Sequence, residues 1–255
     1  MPKYKIYALN YAGRLKSSGA FLMWLKDWDK EAERSFYFWC LKGPKETVIV
    51  DSGVSPALAA EKGMPAYVNP LELLAQIDVR ADEVKHLVLT HIHWDHAGGL
   101  NLFPRAQVYV QEDELGFWLH NPLSGRPPFS FFSNESVLAE LRALDKAGRL
   151  ILTDGDRKIL PGIECLLAPG HSKALQAVAV DTDNGTAILG SDAAHVFRNY
   201  QEDWPSALCI DLVAWLQTYD KLRARVSAPQ LLFPGHDPAM TDNYTRVAPG
   251  VTQLV

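Results

Sequence analysis

Short runs of apolar and β-branched residues alternate along the whole chain with segments whose apolar residues recur at helical spacing. The runs predict seven strands, at residues 47–50, 87–89, 107–110, 163–167, 177–180, 187–189 and 231–233. The helical segments predict helices at 70–77, 137–147 and 212–225, with Asn69 and Asp211 placed to cap the first and the last. Because strands and helices alternate without a linker-like or repetitive segment, we expect one α/β domain over residues 1–255.

Polar side chains follow closely after several predicted strands. Asp51, His91 and Asp192 each stand just past a strand, and the turn Pro-Gly-His occurs twice after a strand, where it ends in His171 and His236. Loops that converge on a site in an α/β protein leave the sheet at the strand ends. We therefore expect these five separated segments to line one cavity.

The strongest chemical signal is the run His91-Ile92-His93-Trp94-Asp95-His96, which holds four metal-ligating side chains in six residues. A loop that leaves a strand can direct the first two of them at one ion and the last two at a second. Residues at three other strand ends bring the nitrogen and oxygen ligands to seven: His171, Asp192 and His236. Seven such ligands suit two divalent ions that share Asp192 as a bridge, although each outlying residue taken singly could instead cap a turn.

These motifs together resemble the metallo-β-lactamase superfamily, and within it the branch related to N-acyl homoserine lactonases. The segments concerned are Val50-Asp51-Ser52-Gly53, the run from Leu89 to Gly99, Pro169-Gly170-His171, Ser191-Asp192-Ala193-Ala194-His195 and Pro234-Gly235-His236-Asp237-Pro238. The resemblance implies an αββα sandwich of two mixed β-sheets flanked by helices. It also implies two divalent metal ions, zinc, bridged by Asp192, with a first site of His91, His93 and His171 and a second of Asp95, His96 and His236.

Departures from relatives narrow the expected activity. True β-lactamases of the superfamily place a cysteine in the second site, where this chain has Asp192, which disfavours penicillin-type hydrolysis. Diiron oxygen-reducing relatives have a glutamate at the position of His93, so the histidine favours hydrolysis. The resemblance then implies opening of a lactone, an N-acyl homoserine lactone or a similar small lactone, by a hydroxide that bridges the two ions. Asp95 would pass the proton to the leaving alkoxide.

Two other functions stay open. One is a related metallo-hydrolase that acts on another small ester, amide, thioester or phosphoester. The other is a non-catalytic metal-binding or partner-binding protein on the same fold, which we would expect to lack one or more of the seven ligands counted in this chain.

Two further residues stand close to the ligands in sequence. His195 comes three residues after Asp192, where acyl homoserine lactonases have a tyrosine. By the resemblance, His195 donates a hydrogen bond to the substrate carbonyl or its oxyanion, or shuttles a proton, and the alternative is a packing histidine. Asp51, at the end of a predicted strand, either orients a ligand histidine or only caps a turn.

Aromatic residues concentrate in two stretches, 21–39 and 112–132. We expect four of them to form the apolar wall of a pocket that binds an acyl chain or ring over the metals: Phe21, Trp24, Phe117 and Trp118. The alternative is packing in the core or in the interface of a homodimer. The run Phe36-Tyr37-Phe38-Trp39 also suits a buried strand.

Charge and cysteine content exclude several classes of partner and location. The 255 residues include 25 Lys and Arg against 30 Asp and Glu, a net charge of −5, without a long basic run. Nucleic acid and membranes are therefore not expected partners, and the expected partner is a small lactone or ester. Three cysteines, an odd number, and the lack of a long apolar run near Met1 predict a cytoplasmic protein.

Overall fold

The computed structural model describes residues 2–255, which contain thirteen β-strands and ten α-helices. The strands are β1 (Lys5–Ser18), β2 (Glu31–Lys42), β3 (Thr47–Val50), β4 (His86–Val88), β5 (Gln107–Gln111), β6 (Leu150–Thr153), β7 (Arg157–Leu160), β8 (Ile163–Leu167), β9 (Gln176–Thr182), β10 (Gly185–Ser191), β11 (Leu232–Pro234), β12 (Thr245–Ala248) and β13 (Val251–Gln253). The helices are α1 (Gly19–Leu22), α2 (Pro56–Glu61), α3 (Pro70–Ala75), α4 (Trp94–Ala97), α5 (Glu112–His120), α6 (Pro127–Ser130), α7 (Glu135–Lys146), α8 (Phe197–Glu202), α9 (Leu212–Arg225) and α10 (Ala239–Asp242).

The strands form two mixed sheets. The larger has eight strands in the order β12-β13-β1-β2-β3-β4-β5-β6, and the smaller has five in the order β11-β10-β9-β8-β7. Strands β3 to β6 are parallel, so their carboxyl ends lie along the same edge of the larger sheet. Strands β10 and β11 are also parallel, which brings their carboxyl ends together in the smaller sheet.

Buried apolar side chains hold the layers together. Trp39 and Val50 from the larger sheet and Val178 and Phe233 from the smaller one belong to a core between the two sheets. Helices cover both outer faces, and α9 contributes Trp215 to the core on the smaller sheet. Removal of this apolar area from water is the main favourable contribution to the packing of the layers. The αββα sandwich predicted from the sequence is confirmed.

The predicted elements are present with small changes at their ends. All seven strands and all three helices lie within two residues of the expected limits. Asn69 accepts a hydrogen bond from the backbone N–H of Leu71 at the start of α3, and Asp211 accepts one from Ala214 at the start of α9. The predicted helix caps are therefore confirmed.

The long hairpin of β1 and β2 is the main element that the pattern did not predict, apart from the buried run within β2. The register of this pair shifts between Asn10 and Ala12 and again between Ala12 and Leu15. Each bulge changes which face the following side chains occupy, so a simple alternation of buried and exposed residues is interrupted. The connection between the two strands contains α1.

Within residues 2–255, none of the helices combines the length and the apolar character that crossing a bilayer requires.

Candidate metal centre

Side chains from the ends of five strands meet in one place. In the larger sheet, Asp51 follows β3 and the loop that begins with His91 follows β4; in the smaller sheet, His171, Asp192 and His236 follow β8, β10 and β11. The structure thus brings together the segments that the sequence expects around one cavity. Both sheets contribute donors, and their ligand atoms form three groups: two contain the seven expected donors, and the third joins Asp192 and His236 to His195.

The first group consists of His91, His93, His171 and Asp192, all buried, with ligand atoms within 4.8 Å of one another. His93 Nδ1 is 3.0 Å from His171 Nε2. Asp192 Oδ2 is 3.4 Å from His171 Nε2 and 3.9 Å from His91 Nε2. Three imidazole nitrogens and a carboxylate oxygen around one point form a typical donor set for a divalent transition metal.

The second group consists of Asp95, His96 and His236 and faces the other oxygen of Asp192. Asp192 Oδ1 is 3.4 Å from His96 Nε2 and 3.1 Å from His236 Nε2. Asp95 Oδ2 is 3.7 Å from each of the same two nitrogens. The carboxylate of Asp192 therefore lies between the two groups, with one oxygen toward each.

Backbone carbonyl oxygens fix the direction of two of the histidines. Nδ1 of His171 is 3.0 Å from the carbonyl oxygen of Leu208, and Nδ1 of His236 is 2.7 Å from that of Ser35. Because a carbonyl oxygen can only accept, Nδ1 carries the proton, and in the neutral ring Nε2 is left with a lone pair that faces the other donors.

Asp51 holds two other ligand histidines through one network. Its Oδ2 accepts hydrogen bonds from His96 Nδ1 at 2.8 Å and from Thr90 Oγ1 at 3.0 Å, and Thr90 Oγ1 in turn lies 3.0 Å from His91 Nδ1. Asp51 and Ser191 have φ angles of 59° and 46°, a left-handed backbone that costs energy in residues other than glycine. Asp51 thus contacts one ligand histidine directly and a second through Thr90.

The two Pro-Gly-His turns need their glycines because other groups pass where a side chain would lie. A Cβ at Gly235 would overlap the carboxylate of Asp192, and one at Gly170, whose φ is 138°, would overlap Trp215. The repeated turn therefore brings His171 and His236 to the centre at places that are too crowded for another residue.

Burial sets the protonation of the donors. It lowers the pKa of His91 and His93 well below the usual value and that of His171 to about 4, because a charged imidazole loses its hydration there. Burial opposes the charge of His96 as well, but three neighbouring carboxylates outweigh it and raise its pKa well above the usual value. Burial also disfavours ionisation of Asp192, yet the surrounding histidines hold its pKa well below the usual value.

Three of the donor atoms are buried and meet no hydrogen-bond partner among residues 2–255: His91 Nε2, His96 Nε2 and Asp192 Oδ1. Buried polar atoms in native proteins are nearly always partnered, so unpartnered nitrogen and oxygen ligand atoms grouped together indicate the position of a cation. The residues present therefore fit divalent metal ions.

His195 lies against this cluster. Its Nε2 is 3.4 Å from Asp192 Oδ2, and its ring stacks on that of His236 with centroids 5.3 Å apart. Burial holds its pKa well below the usual value; the charge of Asp192 acts against this, and His171, His236 and Arg34 add to it. His195 is thus a neutral imidazole that offers one N–H beside the donors.

The connection between β1 and β2 places Phe21 beside the centre and Trp24 farther away. The ring of Phe21 meets that of His195 edge-on, with centroids 6.0 Å apart. Trp24 instead ties the connection to another segment, since its N–H donates to the Pro205 carbonyl and its own carbonyl accepts from the indole of Trp204.

Helix α5 and the segment after it supply aromatic rings on the His93 side. Trp118 meets the ring of His93 edge-on at 5.6 Å, and Phe132 lies 5.2 Å from it. Phe117 is part of the core on the outer face of the larger sheet, where it packs on Phe129 at 5.2 Å. Of the two α5 residues expected in a pocket, Trp118 adjoins a ligand and Phe117 packs beside it.

A buried carboxylate in α5 joins two ligand loops. Glu114 accepts hydrogen bonds from the N–H of Ile92 at 3.1 Å, between two ligands, and from the hydroxyl of Ser172 at 3.0 Å and the N–H of Ala174 at 2.8 Å, just after His171. It also accepts one from the indole of Trp118. Burial raises the pKa of Glu114 from its usual value, and these hydrogen bonds act against that rise.

Sequence reasoning missed the residues that support the ligands. Ser35 and Leu208 act through backbone carbonyls, which any residue supplies, so the sequence contains no signal for them. Glu114 is distant in sequence from the loops that it joins. Thr90 is the exception, because a hydroxyl directly before His91 is a visible candidate for its hydrogen-bond partner.

Comparisons with known proteins agree with this geometry. A model of the metallo-beta-lactamase superfamily matches residues 35–236. N-acyl homoserine lactonase of Bacillus thuringiensis is 24% identical over 217 residues, which cover 78% of this chain and 80% of the relative.

Two solved structures show the same fold at low identity. An N-acyl homoserine lactone hydrolase with the product N-hexanoyl-L-homoserine bound at its catalytic metal centre has a TM-score of 0.80 at 23% identity, over 98% of this chain and 99% of that one. AidC, a dizinc quorum-quenching lactonase, has a TM-score of 0.72 at 18% identity, over 93% and 91%. Because the family model spans most of the chain and all seven residues of the two donor groups, the chain belongs to the metallo-beta-lactamase superfamily.

Proposed function

We propose that this protein is a lactonase with two zinc ions per chain, which opens an N-acyl homoserine lactone or a similar small lactone. The observation that supports it most directly is the arrangement of seven donors in two groups on either side of Asp192. The relative from Bacillus thuringiensis and both solved structures described above are named as lactonases or lactone hydrolases of this type, and one of them is named as a dizinc enzyme.

The donors divide into a first set of His91, His93 and His171 and a second set of Asp95, His96 and His236, with Asp192 shared. Zinc ions bound in such a pair of sites activate water as a nucleophile and polarise a carbonyl oxygen. The hydrogen bonds of Asp51 and of the backbone carbonyls keep His96, His171 and His236 in the tautomer that binds metal through Nε2.

Two residues of the chain handle the proton and the oxyanion. Asp95, with a side chain 12% exposed, lies at the open side of the second group and holds the proton that the leaving alkoxide takes up. His195 donates an N–H to the carbonyl oxygen of the substrate. Phe21 and Trp118 lie beside these groups and limit the access of bulk water.

Metal analysis tests the centre itself. We expect close to two zinc ions per chain in protein purified without chelator, and we expect Asp192→Ala to lose metal and activity together. Asp183→Ala removes an exposed carboxylate in the turn between β9 and β10 and serves as the matched control. A fully active Asp192→Ala enzyme would rule out the shared carboxylate.

A substrate screen tests the reaction. Lactones of graded size should release acid in a pH-stat assay, with small esters, amides, thioesters and phosphoesters as the comparison set. If one of these comparison substrates is hydrolysed faster than every lactone, the protein is the related metallo-hydrolase and not a lactonase. Absence of all turnover in metal-loaded protein would favour a non-catalytic binding protein.

A homodimer and a cytoplasmic location remain part of the proposal. Light scattering at several concentrations of the metal-loaded protein and fractionation of the producing cells test them.

A further inference from the structure

Arg34, near the start of β2, presents a guanidinium group that forms no salt bridge with the acidic residues of the described range 2–255. The neighbouring Glu33 is paired with Arg14 instead, at 3.4 Å. Nε of Arg34 is buried and meets no hydrogen-bond partner within the described chain, residues 2–255. A guanidinium stays charged at every relevant pH, and burying part of it without a counter-charge costs free energy. Such a group indicates the place of an anion.

The guanidinium lies over two aromatic rings, each of which contacts a histidine of the metal centre. Cζ of Arg34 is 5.1 Å from the ring centroid of Phe21 and 5.2 Å from that of Phe36. The ring of Phe21 meets His195, and the ring of Phe36 meets His236 edge-on at 5.2 Å. Each ring therefore contacts both the charge of Arg34 and a histidine of the centre. The rings attract the cation and hold it in place.

The backbone ties Arg34 to one of the ligands. Ser35, the next residue, donates its N–H to the carbonyl of His236 at 2.8 Å and accepts from Nδ1 of the same histidine. The position of Arg34 relative to the centre is thus set by strand β2 and not by a free loop. A positive charge held at a constant distance from the metal centre is suited to selection among substrates.

We propose that Arg34 binds a carboxylate of the substrate, so that the preferred substrate is a small lactone with a carboxylate at the end remote from the ring. This inference rests on the proposed lactonase function. An uncharged lactone would leave the guanidinium unpaired, whereas a carboxylate can accept two parallel N–H donors from it.

The carboxylate bound by Arg34 differs from the one that ring opening creates. The new carboxylate forms at the carbonyl carbon, which must lie among the buried donors for the reaction to occur. The guanidinium of Arg34 is partly exposed and lies over the rings of Phe21 and Phe36, so it is placed to meet another part of the substrate.

Two matched substrates test the proposal. One is an N-acyl homoserine lactone whose acyl chain ends in a carboxylate, and the other is the same molecule with a terminal primary amide. In the wild-type enzyme we expect kcat/KM to favour the carboxylate by about 10- to 100-fold, mainly through KM, as for a hydrogen-bonded charge pair. This preference should weaken as ionic strength rises.

Variants assign the preference to Arg34. Arg34→Met should bring the ratio of the two kcat/KM values close to one, and Arg34→Lys, which keeps the charge but not the planar fork, should retain part of it. Lys16→Met removes an exposed cation of the same hairpin, paired with Glu31, and should keep the wild-type ratio. Equal use of both substrates by the wild type, or a ratio that survives in Arg34→Met, would overturn the proposal.

Binding measurements separate this proposal from the lactonase itself. If the enzyme opens neither lactone, the lactonase function fails, and calorimetric titration with the two lactones then decides about Arg34. Tighter binding of the carboxylate form, lost in Arg34→Met, supports the anion site by itself; equal binding of both forms rejects it. Arg34→Gln, which also removes the charge, serves for the same comparison if Arg34→Met does not fold.

Discussion

At the scale of single residues, the environment of His195 decides what its imidazole can do. Burial keeps it neutral, and its Nδ1 has no partner among residues 2–255. A neutral ring keeps one N–H donor throughout the pH range in which enzymes are assayed, whereas a free histidine would change charge near its usual pKa of about 6.5. The side chain is therefore suited to donation toward an oxyanion.

We predict that His195→Phe lowers kcat by about 10- to 1,000-fold, the usual effect of losing one oxyanion donor, and leaves the metal content unchanged. His195→Tyr should recover part of the loss, because a phenol also donates. Kinetics with metal analysis of each variant test this, and His120→Phe, at the exposed end of α5, is the control. Normal kcat together with normal metal content in His195→Phe would place this histidine outside the chemistry.

Some residues of the centre could be predicted from the sequence and others could not, for a physical reason. The donors are recognisable because histidine and aspartate bind metals through their own atoms, and four of them stand within six residues. Glu114 and Arg34 owe their importance to neighbours that are remote in sequence. An ordinary glutamate or arginine gives no sign of such a neighbourhood before the chain is folded.

At the scale of elements, α5 is the helix that joins two ligand loops. We predict that Glu114→Gln weakens metal binding by about 10- to 100-fold, because an amide can accept at one end but presents N–H groups to donors at the other. Metal titration against a chromogenic chelator measures this. Glu112→Gln lies on the exposed side of the same helix and should bind metal like the wild type. If Glu114→Gln binds metal with unchanged affinity, Glu114 contributes only to packing and not to the positioning of the ligand loops.

The two aromatic stretches should respond differently to truncation. Phe21→Ala, in the β1–β2 connection, should raise KM for bulky lactones far more than for the smallest ring, because its ring adjoins His195. Phe117→Ala should instead lower the free energy of unfolding by about 3–5 kcal/mol, since its ring is 9% exposed and packs in the core. Denaturation curves and kinetics on two lactones separate these outcomes. If Phe117→Ala raises KM for bulky lactones but not for the smallest ring, Phe117 lines the substrate pocket after all.

The elements themselves were predictable wherever the apolar pattern is regular. Strand β8 and helix α9 have the limits that the sequence indicates, because β8 is a mostly apolar run and α9 is a stretch of helical spacing that Asp211 caps. The hairpin of β1 and β2 was not predicted, because its bulges shift the alternation of buried and exposed residues partway along β1. The hairpin supports the centre through Ser35 and Phe21, and these contacts join residues that are far apart in sequence.

At the scale of the whole molecule, buried histidines link stability to pH. The folded-state pKa of His171 is about 4, below the unfolded value of about 6.5, so the unfolded chain takes up the proton first as pH falls. The stability that the neutral ring contributes is present above pH 6.5 and is lost down to about pH 4, on the order of 3 kcal/mol. His91, His93 and His195 act in the same direction, and His96, with a raised pKa, acts against them.

We therefore predict that the metal-free protein loses stability as pH falls from about 6.5 to about 4, and that bound metal moves this loss to lower pH because protons and metal compete for the same nitrogens. Thermal unfolding of chelator-treated and metal-loaded protein at a series of pH values tests this. A melting temperature of the metal-free protein that stays constant across this range would contradict it.

The residues that hold the metals and those that surround them belong to different parts of the chain. The donors end strands of both sheets, while Phe21 and Arg34 belong to the β1–β2 hairpin and Phe132 to the segment before α7. Inherited changes in the hairpin can therefore alter which molecules are admitted while every donor stays in place. Descendants of such a gene can take up new substrates by small steps and keep the same chemistry at each step.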